Sequence, residues 1–141
     1  RRSLGRQFGA TSQLDPGDPV AMLGVADALG GPPDVVFECV GTPGILQECI
    51  ALVRRRGRMI SVGAAMAPDP ILPAMACLKE VSLRFVVSCS HQDFDRALDG
   101  LARQEIEGPA MVTSRISLAE LPGTFEQLYT SAAQGKVFVL P

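Results

Sequence analysis

The stretch Asp34-Val-Val-Phe-Glu-Cys-Val-Gly41-Thr-Pro43 constrains this chain more than any other. Six almost wholly apolar residues follow Asp34 and pass through Gly-Thr-Pro straight into a helical pattern. A buried parallel strand has this form where it opens into a ligand-binding turn above a sheet.

The rest of the chain repeats the theme. Leu4 and Phe8, four apart and followed by Gly9, read as a helix end across residues 1–9, and Thr11 to Leu14 as a short strand. Asp15-Pro-Gly-Asp18-Pro19 is a turn, with Asp18 as expected N-cap and Pro19 at the first helical position. Met22, Val25, Ala26 and Leu29 share one helical face that ends at Gly30-Gly31-Pro32. After the strand Val35–Val40, Thr42 is expected to cap a helix begun by Pro43, with Ile45, Cys49, Leu52 and Val53 inward. Arg54-Arg55-Arg56 before Gly57 reads as cations at that helix's C-terminus with a left-handed glycine cap, the alternative being a phosphate patch. Met59–Val62 and Val81–Ser88 are further strands, joined by a proline-rich connection with a short helix near Ala74–Leu78.

Beyond Ser88 the texture changes. Phe94, Ala97, Leu98 and Leu101 mark an amphipathic helix, and Val112–Ile116 a modest strand. Ser117-Leu-Ala-Glu120 is a capping box before a helix carrying Leu121, Phe125 and Leu128, and Lys136–Leu140 is a last strand. Alternating strand and helix through residue 88 predicts an α/β fold with a parallel, right-handed crossover sheet.

Composition narrows function mainly by exclusion. A 47% hydrophobic content with mean hydropathy +0.22 is incompatible with disorder. A net charge of -2 gives no reason to expect nucleic acid or an anionic membrane as partner. No apolar run reaches transmembrane length, and the first residues, Arg-Arg-Ser-Leu-Gly, contain no apolar signal core. Cys39, Cys49, Cys77 and Cys89 follow no C-x-x-C spacing, and His91 is the only histidine. The cysteines are expected to be reduced, buried and structural in a cytoplasmic protein, and no metal site is expected from this chain.

Ligands of open α/β sheets bind at the C-terminal strand ends. Three such ends stand out: Cys39-Val40-Gly41-Thr42, Ser61-Val62-Gly63-Ala64 and Val86-Val87-Ser88. Glycine lets a ligand approach the backbone, and small neighbours leave room for a flat ring. Glu38 is the only charge in its strand; a hydrogen-bonded structural acid is favoured over a catalytic one. His91, just before a helix start, reads as a surface or capping residue rather than a proton relay. No G-x-G-x-x-G is present.

From Arg1-Arg-Ser-Leu-Gly-Arg-Gln-Phe-Gly-Ala-Thr onward, the chain resembles the zinc-dependent medium-chain alcohol dehydrogenase superfamily. The matching signals are Phe8-Gly9-Ala10-Thr11 leading to Leu14-Asp15-Pro16, the Asp34–Gly41 strand and Arg56-Gly57-Arg58 leading to Val62-Gly63. Lys79-Glu80 before a strand and the terminal Gly135-Lys136-Val137 complete the set. The resemblance implies the C-terminal part of such an enzyme. Residues 1–88 would be the later strands of a partial Rossmann-type NAD(P)-binding sheet, and 89–141 a C-terminal α+β segment returning to the catalytic domain. It implies NAD or NADP as cofactor, bound weakly or not at all by this piece, and a small alcohol or carbonyl substrate. Zinc belongs to the parent enzyme only, and no residue here would be catalytic. Val40, Gly41 and Thr42 would lie by the nicotinamide ribose, and Val62, Gly63 and Ala64 beneath the ring. Val62 and Val86 carbonyls and the Ser88 amide would face the carboxamide. Lys136 would be a cation near the phosphates, or simply a solvated strand-end lysine. A homo-oligomer is expected, with Thr11–Leu14 sliding beside Val35–Val40. The alternatives are a non-catalytic nucleotide-binding or dimerisation module and a folded fragment without activity of its own.

Overall fold

The computed structural model describes residues 2–18, 20–130 and 135–141. Backbone contacts divide the chain into two compact units, Leu14–Ser88 and a second one made of residues 1–13 with Cys89–Pro141.

The first unit holds α2 (Val25–Leu29), β1 (Val35–Glu38), α3 (Ile45–Leu52), β2 (Arg58–Ser61), α4 (Pro73–Lys79) and β3 (Ser82–Phe85), after α1 (Arg2–Gln7) of the other unit. The three strands form one parallel sheet in the order β1-β2-β3. Register sets Val36 beside Met59 and Leu83, and all three face α3. There Ile50, Met59 and Val53 are almost fully buried, with Cys49, Met75 and Ala76 packed around them. The next row, Phe37, Ile60 and Arg84, points the other way by the two-residue period of a strand. Phe37 there is 64% exposed. The expected doubly buried strand is thus buried on one face only, because no described helix covers the second.

Several local expectations change. Residues 11–14 form no strand, so β1 has no neighbour on its free side among the described residues. Asp18 accepts from the N–H of Val20, but the following residues make isolated i→i+3 turns before the helix starts at Val25. Pro19, expected at the helix start, lies outside the described residues, as does Arg1. The arginine triplet lies beyond the helix end and not inside its last turn. Arg54 pairs with Asp34, and Arg55 and Arg56 both pair with Glu80. The left-handed residue of that turn is Arg56, φ 58°, and not Gly57. The C-terminal carbonyls of α3 at Ile50 and Ala51 are instead capped by the Lys79 ammonium, 2.8 Å from each.

In the second unit, α1 packs on a 3₁₀ turn, Pro109–Met111. The helix α5 (His91–Ala102) is capped by Ser90 and Asp93 in a capping box, so His91 is simply its first residue. The expected box at Ser117 and Glu120 is present and precedes α6 (Leu121–Thr130). The strands β4 (Val112–Ser117) and β5 (Lys136–Leu140) pair in parallel.

All four cysteines are free, but only Cys49 is buried; Cys39, Cys77 and Cys89 are exposed, contrary to expectation. Burial, reinforced by the negative charges of Glu38, Glu48 and Asp69, pushes the Cys49 thiol up to about 11. Since the thiolate is the nucleophile, native iodoacetamide treatment should label three cysteines and spare Cys49 until the chain unfolds. Peptide mass spectrometry reads this directly, and equal labelling of Cys49 would contradict the packing of α3 on the sheet.

Candidate functional site

The C-terminal ends of β1, β2 and β3 converge on a cleft of about 350 Å³ within the first unit. Its floor is built around one carboxylate. Glu38 ends β1 with its side chain turned inward, 3% exposed, and the register sets Ser61, also 3% exposed, directly beside it. Glu38 Oε1 accepts from the N–H groups of Val40 at 2.5 Å and Gly41 at 2.6 Å. Ser61 Oγ donates toward Oε2 at 3.1 Å and lies 3.3 Å from the Gly63 carbonyl. The Glu38 backbone carbonyl accepts from the amides of both Val62 and Gly63. One residue therefore ties the turn after β1 to the turn after β2.

Those bonds, led by the Gly41 N–H, hold the Glu38 carboxyl below its ordinary value, against the opposing cost of burial and the charge of Asp69. An acid with a depressed folded value stabilises the fold above the ordinary carboxylate range. It loses that contribution as pH falls through its folded value.

The two turns touch through backbone. Gly41 has φ 73°, and a Cβ there would lie 2.6 Å from the Ala64 nitrogen. A Cβ at Gly63 would lie on the Gly41 nitrogen and within 2.7 and 2.8 Å of the two Glu38 oxygens. Only glycine fits at Gly63, and the cause is the close approach rather than an unusual φ.

The other walls are apolar or small: Val62, Ala64, Ala65, Phe85, Val86 and Val87. Asp69 lies at the rim and accepts from the amides of Gly44 at 2.6 Å and Leu46 at 3.4 Å. It takes the role expected of Thr42, which offers its carbonyl to Ile45 and makes no side-chain cap. The N-terminus of α3 is thus satisfied by protein and not held open for a phosphate.

Of the residues singled out from sequence, Gly41, Val62, Gly63, Ala64 and Val86 line this cleft. Val40 contributes its N–H to Glu38 and is 67% exposed. Ser88 is exposed at φ 61°, in the left-handed region. Lys136 belongs to the other unit, where it opens β5. Sequence reasoning missed Asp69, and it named Ser61 only as part of a strand end, without a role. A polar residue on each of two adjacent apolar strands, ahead of the two glycine turns, was the available signal for Ser61.

Volume, apolar walls and a small-residue floor suit a flat ring of modest polarity. Among the described residues, no group of three His, Cys, Asp or Glu side chains could hold a metal ion. No described helix is long and apolar enough to cross a membrane.

A parallel sheet with helices between its strands and a cleft at its strand ends is an open α/β unit of the kind that binds its ligand at the strand ends. A family profile for zinc-binding dehydrogenases matches residues 1–103, and the chain belongs to that family. Among solved structures, it is similar to 2R,3R-butanediol dehydrogenase from Bacillus subtilis: 25% identity and TM-score 0.85, covering 99% of this chain and 40% of that one. It is also similar to a structure assigned as a zinc-binding dehydrogenase of Sinorhizobium meliloti 1021, bound to NADP. There the identity is 26% and the TM-score 0.86, over 99% of this chain and 42% of that one. Alcohol dehydrogenase TADH from Thermus sp. ATN1 matches at 26% identity and TM-score 0.84, covering 96% and 40%. The chain thus spans about 40% of these relatives' length.

Proposed function

We propose that this chain is the later portion of the NAD- or NADP-binding domain of an alcohol- or carbonyl-converting oxidoreductase, together with a segment of its catalytic domain. The observation that carries the reading is the pair of glycine turns latched by Glu38 at the floor of the cleft. In the parent enzyme a hydride passes between the substrate carbon and the nicotinamide ring, with the alcohol proton released to solvent or a base. Zinc, held by residues other than these, would polarise the substrate oxygen there. Val40, Gly41, Thr42, Val62, Gly63, Ala64, Val86 and Ser88 would surround the nicotinamide end, with Lys136 toward the phosphates. Residues 1–88 would be the cofactor-domain portion and 89–141 the catalytic-domain portion, in a cytoplasmic protein. The chain alone is expected to be inactive.

Without the preorganised donors of a pyrophosphate-binding helix N-terminus, this chain should bind NAD or NADP no tighter than about millimolar. Calorimetric titration checks this, and a low-micromolar dissociation constant would refute it.

A second reading, a non-catalytic nucleotide-binding or dimerisation module, draws support from surface. Two separate compact bodies of about half this mass would together expose about 8,400 Å². The chain exposes 10604 Å², including Phe37, Val40, Phe85 and Val87 around the sheet. The excess exceeds a standard protein interface of about 1,600 Å². A homodimer or larger assembly is therefore expected in solution, and a clean monomer by light scattering at tens of micromolar would contradict it. Turnover of an alcohol by the longer parent separates the two readings.

A further inference from the structure

We infer that Glu38 is a positioning residue for the cofactor cleft: its carboxylate sets the cleft's shape by latching the turn after β1 onto the turn after β2. This rests on the reading of the cleft as a nicotinamide site. Three donors end on one side chain: the Val40 and Gly41 amides on Oε1, and the Ser61 hydroxyl on Oε2. Among the described residues of the first unit, no other buried side chain bonds to both turns. Nor does Glu38 need to meet the ligand chemically, since its oxygens are already occupied by protein.

The division of labour between its two oxygens makes the idea sharp. Oε1 accepts from both amides, and Oε2 faces a hydroxyl that can either donate or accept. A glutamine can therefore keep every bond. Its carbonyl oxygen takes the two amides, and its NH₂ donates to Ser61 Oγ, which turns its proton toward the Gly63 carbonyl 3.3 Å away. Alanine leaves the two amides without that acceptor and the Ser61 hydroxyl with only the Gly63 carbonyl. A latch made of hydrogen bonds predicts that glutamine rescues and alanine does not. A role made of charge predicts that both fail.

The experiment uses the full ¹⁵N-labelled chain and its variants Glu38→Gln, Glu38→Ala and Ser61→Ala. Amide hydrogen exchange is followed first, then titration with nicotinamide mononucleotide. In Glu38→Ala the Val40 and Gly41 amides should exchange about 100-fold faster, while Ile60 and Arg84 in the sheet stay protected. Shifts at Gly41, Gly63 and Ala64 on addition of the mononucleotide should then be lost. Glu38→Gln should stay within about threefold of the unmodified chain in exchange and keep the shifts. If Glu38→Ala fails to fold, Ser61→Ala carries the test through about tenfold faster exchange at Gly63, whose amide bonds to the Glu38 carbonyl. Unchanged exchange in Glu38→Ala or in a folded Ser61→Ala, or a glutamine variant as loose as the alanine one, overturns the latch. Loosening by alanine with no mononucleotide shifts in the unmodified chain overturns the cofactor reading, and with it the positioning role.

Discussion

Replacing Gly63 by alanine or valine is expected to weaken nicotinamide-nucleotide binding at least tenfold in a protein carrying the complete cofactor domain. Folding should suffer less. The offending atom is the Cβ itself, which would sit on the Gly41 nitrogen and inside the Glu38 carboxylate. Alanine should therefore do most of the damage that valine does. The cheapest relief is to swing one turn away from the other, which sacrifices the Val40 and Gly41 bonds to Glu38. The strain is confined to the turns, which can open locally without unfolding the sheet, so it should reach global stability only in part. The strands keep their register bonds, so the denaturation midpoint should fall modestly while affinity collapses. Equilibrium titration of NAD and NADP beside a urea curve on the same preparation measures both quantities. Unchanged affinity would remove Gly63 from the ring-binding loop.

The second large effect belongs to folding. Ile50→Ala should destabilise the first unit by about 2–5 kcal/mol, the usual range for deleting a large aliphatic side chain from a packed core. Ile50 is 1% exposed and forms one cluster with Met59 and Cys49, inside a unit whose fully buried side chains are few. Single domains have only about 5–15 kcal/mol in hand, so this is a large share. Phe37→Ala provides the contrast. Its ring is 64% exposed on the open sheet face and should contribute less than about 1 kcal/mol to folding of the monomer. A chemical denaturation series resolves the two, and a loss below 1 kcal/mol at Ile50 would contradict the core described here.

The parallel sheet was legible because its strands are apolar runs closed by Gly-Thr-Pro and Gly-Ala-Ala, and because helical periodicity fills the gaps between them. The cleft was legible for the same reason: strand ends with glycine are where such folds bind. Long-range capping was not legible. Asp69 reaches back to the start of α3, and Lys79 reaches the carbonyls at its end. Nothing local distinguishes these residues from surface charges; only the fold brings them there. Thr42 and the arginine triplet satisfied every local rule for a cap and were displaced by these distant partners. The strand expected at residues 11–14 had the right composition, but the division between the two units falls inside it, after Gln13, and it pairs with neither sheet. Exposure was the hardest property to read. Cys39 and Phe37 look like core in a fold with both sheet faces covered, and they are open here because one face is bare.

The division of the chain also orders its assembly in time. The first unit is one uninterrupted stretch, and its strand pairs link residues 23 or 24 apart, Val35 with Arg58 and Arg58 with Ser82. Each strand can dock as soon as it leaves the ribosome, with short loops to close at every step. The second unit is interrupted by the whole of the first. The helix α1 leaves the ribosome about a hundred residues before the turn at Pro109–Met111 on which it packs. That contact must therefore wait until the whole sheet unit has been made, so the sheet unit can fold first, between the two halves of its unfinished neighbour.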